Sequence, residues 1–74
     1  MENDRELTTI KSRLLNEIKQ SGMTATEIAD KIGVSPEMVT QYCTTKKMPK
    51  LVTFAKLCKA LDLSADYILG LKEY

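Results

Sequence analysis

Few residues of this chain could do chemistry, and those few point to binding rather than to bond-breaking. Among its 74 residues there is no histidine, and the only thiols are Cys43 and Cys58. Two thiols cannot close a structural zinc site, which takes four nitrogen or sulfur ligands. A secreted disulfide framework ordinarily shows four or more cysteines. Both are therefore expected to be reduced and to behave as small apolar side chains. There is no glycine-rich phosphate loop, and so short a chain leaves no room for a substantial pocket. No catalysis, no cofactor, no metal and no small-molecule ligand are expected.

What remains is charge. The net value is only +1, but it is unevenly spread. Residues 1–34 hold five basic and six acidic side chains, a local sum of −1. Lys46, Lys47, Lys50, Lys56 and Lys59 then follow with no acid among them. A basic segment on a near-neutral chain can bind a polyanion locally. The plainer reading of a lysine run is solvated surface, and it is the one favoured for Lys56 and Lys59.

Some scaffold must position these groups. A hydrophobic share of 43% with 28% charged residues suits one small globular domain, with little core to spare. One Phe, three Tyr and no Trp leave that core to aliphatic side chains. No apolar run approaches the roughly 18 residues of a membrane span. The charged start MENDRE is not followed by the apolar region of a secretory signal. A cytoplasmic protein is expected.

The apolar spacing is helical throughout. Leu7, Ile10, Leu14 and Ile18, with Leu15 beside them, form one stripe, and Asn3 with Glu6 resembles a capping box that starts a helix near Asn3 or Asp4. Gly22 ends it. An apolar residue then precedes a hydroxyl residue three times, in Met23-Thr24, Val34-Ser35 and Leu63-Ser64. Five positions beyond each apolar residue stand Ile28, Val39 and Ile68, which is the hydrophobic-staple spacing with the hydroxyl as N-cap. Thr24 and Glu27 complete a capping box, and Pro36 takes a first helical position, where its missing N–H costs nothing. A further helix follows Pro49, with Leu51, Phe54, Leu57, Cys58 and Leu61 on one face. The spacing predicts helices over about 4–21, 25–32, 36–44, 51–61 and 65–70, with no strand.

Between the second and third helices lie only Gly33, Val34 and Ser35. Gly33 can take the left-handed conformation that ends a helix tightly, and Ser35 caps the next at once. So short a turn makes the axes cross steeply, which is helix-turn-helix geometry. Ile28, Ile32, Val34, Val39 and Tyr42 supply the shared seam, and Ala29 stands where a larger side chain would push the helices apart.

On these residues the chain resembles the Cro/cI-type helix-turn-helix family, the lambda-repressor-like DNA-binding domains also called XRE-family regulators. The likeness runs from about Ile10 to Gly70, through GMTATEIADKIGVSPEMVTQY and KKMPKLVTFAKLCKALDLSADYILG. It implies an all-α, compact five-helix domain over residues 1–74, with its core at about 8–70. It also implies a sequence-specific transcriptional regulator, a repressor, that binds double-stranded DNA as a dimer on an inverted repeat. The alternative is a protein-interaction module on the same fold, an antirepressor or an antitoxin-like binder.

The resemblance implies a division of labour among the residues. With Val39, Tyr42 and Cys43 turned inward, Glu37, Thr40, Gln41 and Thr44 share the opposite stripe of the third helix. That stripe, with Pro36 and Met38 at its leading end, would enter the major groove. Gln41 offers a donor and an acceptor to an adenine edge, and Thr40 a hydroxyl or a methyl contact. Phosphates would be held by the amides around Thr24, Ala25 and Thr26, by Thr45, and by Lys46, Lys47 and Lys50.

Several positions depart from the family pattern. Ala25 replaces a glutamine that braces a phosphate in many relatives. Pro36 and Glu37 stand where small polar residues or glutamine are usual, and Glu37 suits a helix's first turn on electrostatic grounds alone. Ile18 and Cys43 replace an arginine–glutamate pair, so Cys43→Glu is expected to find no arginine and to destabilise the chain. Thr45 and Asp62 replace glycines. Tyr67, Ile68, Leu69, Leu71 and Tyr74 suggest a homodimer contact, while Ile68 and Leu69 serve equally well to close the chain's own core.

Overall fold

Three hydroxyl caps and three apolar staples divide the chain where the spacing predicts. The structure, a computed structural model, describes residues 2–72, with side chains from Arg5 onward. Its helices are α1 (Glu2–Gln20), α2 (Ala25–Ile32), α3 (Pro36–Thr44), α4 (Leu51–Leu61) and α5 (Ala65–Ile68). No strand occurs among the described residues. The all-α, five-helix expectation holds, and α2, α3 and α4 have the predicted limits.

The two outer helices differ from expectation. α1 already includes Glu2, so Asn3 lies within the helix and does not cap it from Asn3 or Asp4. α5 stops at Ile68 rather than at residue 70. Gly70 takes a φ of 80°, and the amide of Leu71 donates back to the Asp66 carbonyl at 2.8 Å, which turns the chain away.

The hydroxyls of Thr24, Ser35 and Ser64 accept from the amides of Glu27, Met38 and Tyr67 respectively. Each such cap is worth about 1 kcal/mol. Met23, Val34 and Leu63, the residues just ahead of the caps, are half-buried against the core, as staples should be. That core is aliphatic: Leu14, Ile28, Ile32, Val39, Leu57 and Ile68 are all but fully buried. Burying side chains of this size stabilises by roughly 1.5–3 kcal/mol each.

Two members of the predicted stripes fall outside it. Leu7 is 42% exposed, because the α1 stripe runs past the end of the core one turn before Ile10. Leu51, the first residue of α4, is 81% exposed, while Phe54 and Leu57 on the same helix are buried. Val52 is exposed beside it.

α1 and α5 are clasped by one arginine. The Arg13 guanidinium lies 4.4 Å from the Tyr67 ring centroid, and its Nη1 donates to the Tyr67 carbonyl at 2.5 Å. A cation over a ring contributes about 0.5–2 kcal/mol, depending on desolvation. Ile18 is buried and Cys43 half-buried against the same core, so the apolar exchange at these two positions is accommodated. As expected, no arginine stands at position 18 to meet a glutamate at 43, but another cation bears on that position. Lys11 of α1 is close enough to Cys43 for the two to interact electrostatically.

Candidate nucleic-acid interface

The placement of α3 starts with one glycine. Gly33 adopts φ 74°, ψ 33°, and its amide and that of Val34 both donate to the Ala29 carbonyl, at 2.9 and 3.1 Å. Ser35 returns at once to an extended conformation and caps α3, its hydroxyl accepting from the Met38 amide at 3.2 Å. Ala29 is 2% exposed where α2 and α3 meet. Val39 and Tyr42 are buried on the inner side of α3, with Cys43 half-buried beside them.

Burying that side fixes the other. Glu37, Thr40, Gln41 and Thr44 are all exposed, as is Pro36, and Met38 is half-buried. Pro36, Glu37, Thr40 and Gln41 line one shallow depression on this surface. The Thr44 hydroxyl donates to the Thr40 carbonyl at 2.9 Å, so it faces outward as an acceptor only. The Gln41 amide group has no partner among the described residues, which leaves its donors and acceptor available in the plane a base edge requires.

The start of α2 offers less than expected. The Thr24 amide donates to Glu27 Oε1 at 2.8 Å, and the Glu27 amide to Thr24 Oγ1 at 3.1 Å. Only the amides of Ala25 and Thr26 remain without an acceptor among the described residues. The Glu27 carboxylate also offsets part of the positive helix end on which an anion would rest.

In the loop after α3, Thr45 takes an extended φ of −127° rather than a glycine-like one. Both of its donors turn inward: its amide and its hydroxyl reach the Gln41 carbonyl at 3.0 and 2.6 Å. The hydroxyl oxygen also accepts from the Lys47 amide at 3.1 Å. Thr45 therefore shapes the loop and has no donor left for a phosphate. Lys46, Lys47 and Lys50 are exposed on this loop, and among the described residues no carboxylate pairs with their ammonium groups. Lys56 and Lys59 lie apart, lining a groove with Asp30, Lys31 and Gly33.

The suggested dimer contact is divided by burial. Ile68 is 0% exposed and belongs to the core, Tyr67 is half-buried under Arg13, and Tyr74 lies outside the described residues. Leu69 and Leu71 are 39% and 74% exposed. They join Leu51 and Val52 as exposed apolar side chains, and the latter two carried no signal beyond helical spacing. Lys11 was not singled out by the sequence either. Its Nζ donates to the carbonyl of Lys47, 36 positions away, and no local pattern reveals such a bond. No helix among the described residues is long and apolar enough to cross a membrane.

Comparison with known proteins agrees with this geometry. Residues 14–68 match the helix-turn-helix family, from the second turn of the α1 stripe to the last residue of α5. Over 61 residues the chain is 33% identical to the cryptic phage CTXphi transcriptional repressor RstR of Vibrio cholerae serotype O1. That alignment covers 82% of this chain and 54% of the relative, so the chain spans about half the length of the curated protein it matches. No solved structure matches significantly.

Proposed function

This chain belongs to the helix-turn-helix family, and we propose that it binds double-stranded DNA sequence-specifically as a transcriptional regulator, a repressor acting as a dimer on an inverted repeat. In this reading α3 enters the major groove. Glu37, Thr40, Gln41 and Thr44 face the bases, with Pro36 and Met38 at the leading end. Gln41 reads an adenine edge, and Glu37 is tolerated only opposite a donor such as the cytosine amino group. Lys46, Lys47 and Lys50 neutralise phosphates on one side, and the Ala25 and Thr26 amides receive one at the start of α2.

The observation that carries the proposal is the contrast between the two sides of α3. Val39 is 1% exposed and Tyr42 4%, while the four polar residues opposite are exposed. Next to them stands a loop of lysines with no carboxylate partner among the described residues. A plain helical hairpin has no need to bring both features together. The similar phage repressor supports the same reading, although the aligned part is only 54% of that protein.

A second reading, a protein-interaction module on the same fold, draws on two carboxylates. Glu37 stands on the presented stripe, and Glu27 sits at the start of α2 where a phosphate would approach. Selection of bound duplexes from a random library at low and moderate salt tests the choice. Recovery of an inverted repeat with half-sites about one helical turn apart supports the dimeric regulator. No enrichment even at low salt overturns it and moves the search to a protein that covers α3.

A further inference from the structure

The loop between α3 and α4 carries three lysines in five positions and contains no glycine. Like charges so close repel one another, so the segment needs ties to keep one shape without a polyanion. Its first half is tied to α3 through Thr45, whose hydroxyl bridges the Gln41 carbonyl and the Lys47 amide. Its middle is tied to α1 as well. Lys11 Nζ donates to the Lys47 carbonyl, and Lys11, Leu7, Leu15, Lys46 and Met48 line one groove of about 430 Å³ between α1 and the loop. Lys11 is half-buried there, and desolvation lowers its pKa. A lysine committed to a protein carbonyl beside two other lysines is an unfavourable arrangement in isolation. It becomes advantageous when the whole strip faces an anion.

We infer that Lys11 is a positioning residue for DNA binding, holding the α3–α4 loop in the shape that aims Lys46 and Lys47 at phosphates without touching one itself. The inference rests on the DNA-binding reading above, and it assigns the loop's geometry to α1, outside the helix-turn-helix unit. The test is a double-mutant cycle on a selected duplex, with Lys11→Met measured in the native chain and in a Lys46→Gln/Lys47→Gln background. Lys11→Met is expected to weaken binding about tenfold in the native chain and less than twofold in the background. Lys11→Arg, which keeps a donor, should stay within about threefold of the native affinity.

Salt dependence separates positioning from contact. In the background chain, Lys11→Met should leave the slope of log affinity against log salt unchanged. A fall of about 0.9 would mean that Lys11 itself neutralises a phosphate, and would overturn the inference. Equal losses in the two backgrounds, or no loss in either, overturn it as well. If the native chain binds no duplex at all, the DNA reading fails first. Amide exchange of Lys47 in the free protein then reports separately whether Lys11 holds the loop: an increase of about tenfold in Lys11→Met is expected, and an unchanged rate refutes the tie.

Discussion

Gly33→Ala isolates the turn that sets α3 at its angle. At φ 74° a Cβ at this position meets nothing within 4 Å, so the substitution is a conformational perturbation with no steric clash. An L-residue in the left-handed helical region costs about 1–2 kcal/mol. Alanine's lower freedom in the unfolded chain returns about 0.4–1 kcal/mol, which leaves a net loss near 1 kcal/mol. With an unfolding entropy of about 2.1 cal/mol/K per residue, a chain of 74 residues loses about 6 °C of Tm for each kcal/mol. Thermal melts by circular dichroism should show that drop, and Gly33→Asn should show about half of it, because asparagine tolerates the same region. Duplex affinity well below the transition should stay within about twofold, since the turn keeps its path. A Tm change under about 2 °C would mean that the left-handed turn is not held in solution. Lost affinity in a variant that is still folded would refute the separation of turn strain from helix placement.

Asp62 is the one non-glycine residue with positive φ among those described, at 57°, and its carboxylate sits at the C-terminal end of α4. Asp62→Gly relieves both the conformation and the unfavourable charge at the helix end, so the urea midpoint should rise by an equivalent of about 0.5–1 kcal/mol with the m-value unchanged. Gln41→Ala should leave stability within about 0.5 kcal/mol, because nothing folded depends on its side chain; in competition binding, discrimination at one base pair should fall by about 1–3 kcal/mol. Burial raises the pKa of the Cys58 thiol, so the folded chain keeps a proton that the unfolded chain releases. Stability from this group is therefore full below its unfolded pKa of about 8.5 and is lost as pH rises further. Burial raises the Tyr42 phenol in the same sense at still higher pH, and Lys11, lowered by desolvation, acts in the opposite sense. Cys58→Val should flatten the first part of the alkaline decline in denaturation midpoint. Cys43→Glu should destabilise the half-buried site by about 1–3 kcal/mol, and by more when combined with Lys11→Met, because Lys11 interacts electrostatically with position 43; equal losses in the two would show that Lys11 does not reach position 43.

What could be read from the sequence was the part of the fold written locally. Caps at Thr24, Ser35 and Ser64 and staples at Met23, Val34 and Leu63 each need only five or six consecutive residues, and all of them formed. The polar stripe on α3 was legible for the same reason, since a period of 3.6 residues assigns its faces once Val39 and Tyr42 are known to be inside. The helix ends that went astray are those without such a signal. At the start of α1 the helix runs through Asn3, and at α5 the stop is set by hydrogen bonds back to Asp66 that no capping residue announces. Tertiary choices were invisible. Leu51 and Leu57 share a helical face in the sequence, yet one is 81% exposed and the other fully buried, because only the position of neighbouring helices decides where a stripe ends. Arg13 over Tyr67 and Lys11 on the Lys47 carbonyl join segments 54 and 36 positions apart, beyond the range of any local pattern.

That distinction bears on how such a chain can change its target. The side chains that hold α3 in place, Val39 and Tyr42, and those that face outward, Glu37, Thr40, Gln41 and Thr44, alternate along nine residues but share no hydrogen bond between side chains. Substitution on the outer stripe is then limited by what it meets outside the chain, because solvated positions tolerate change within about 0.5 kcal/mol. The loop that follows is not free in the same way. Thr45 closes on the carbonyl of Gln41, a member of the outer stripe, and Lys11 fastens the same loop to α1. Backbone displacement at Gln41 therefore reaches Lys46 and Lys47 through the amide and hydroxyl of Thr45, and displacement of α1 reaches them through the Lys11 ammonium group. On the proposed reading, base recognition is modular because the outer side chains share no hydrogen bond with Val39 or Tyr42. Phosphate holding on the same reading is not, because the geometry of the lysine loop is shared among α1, α3 and the loop itself.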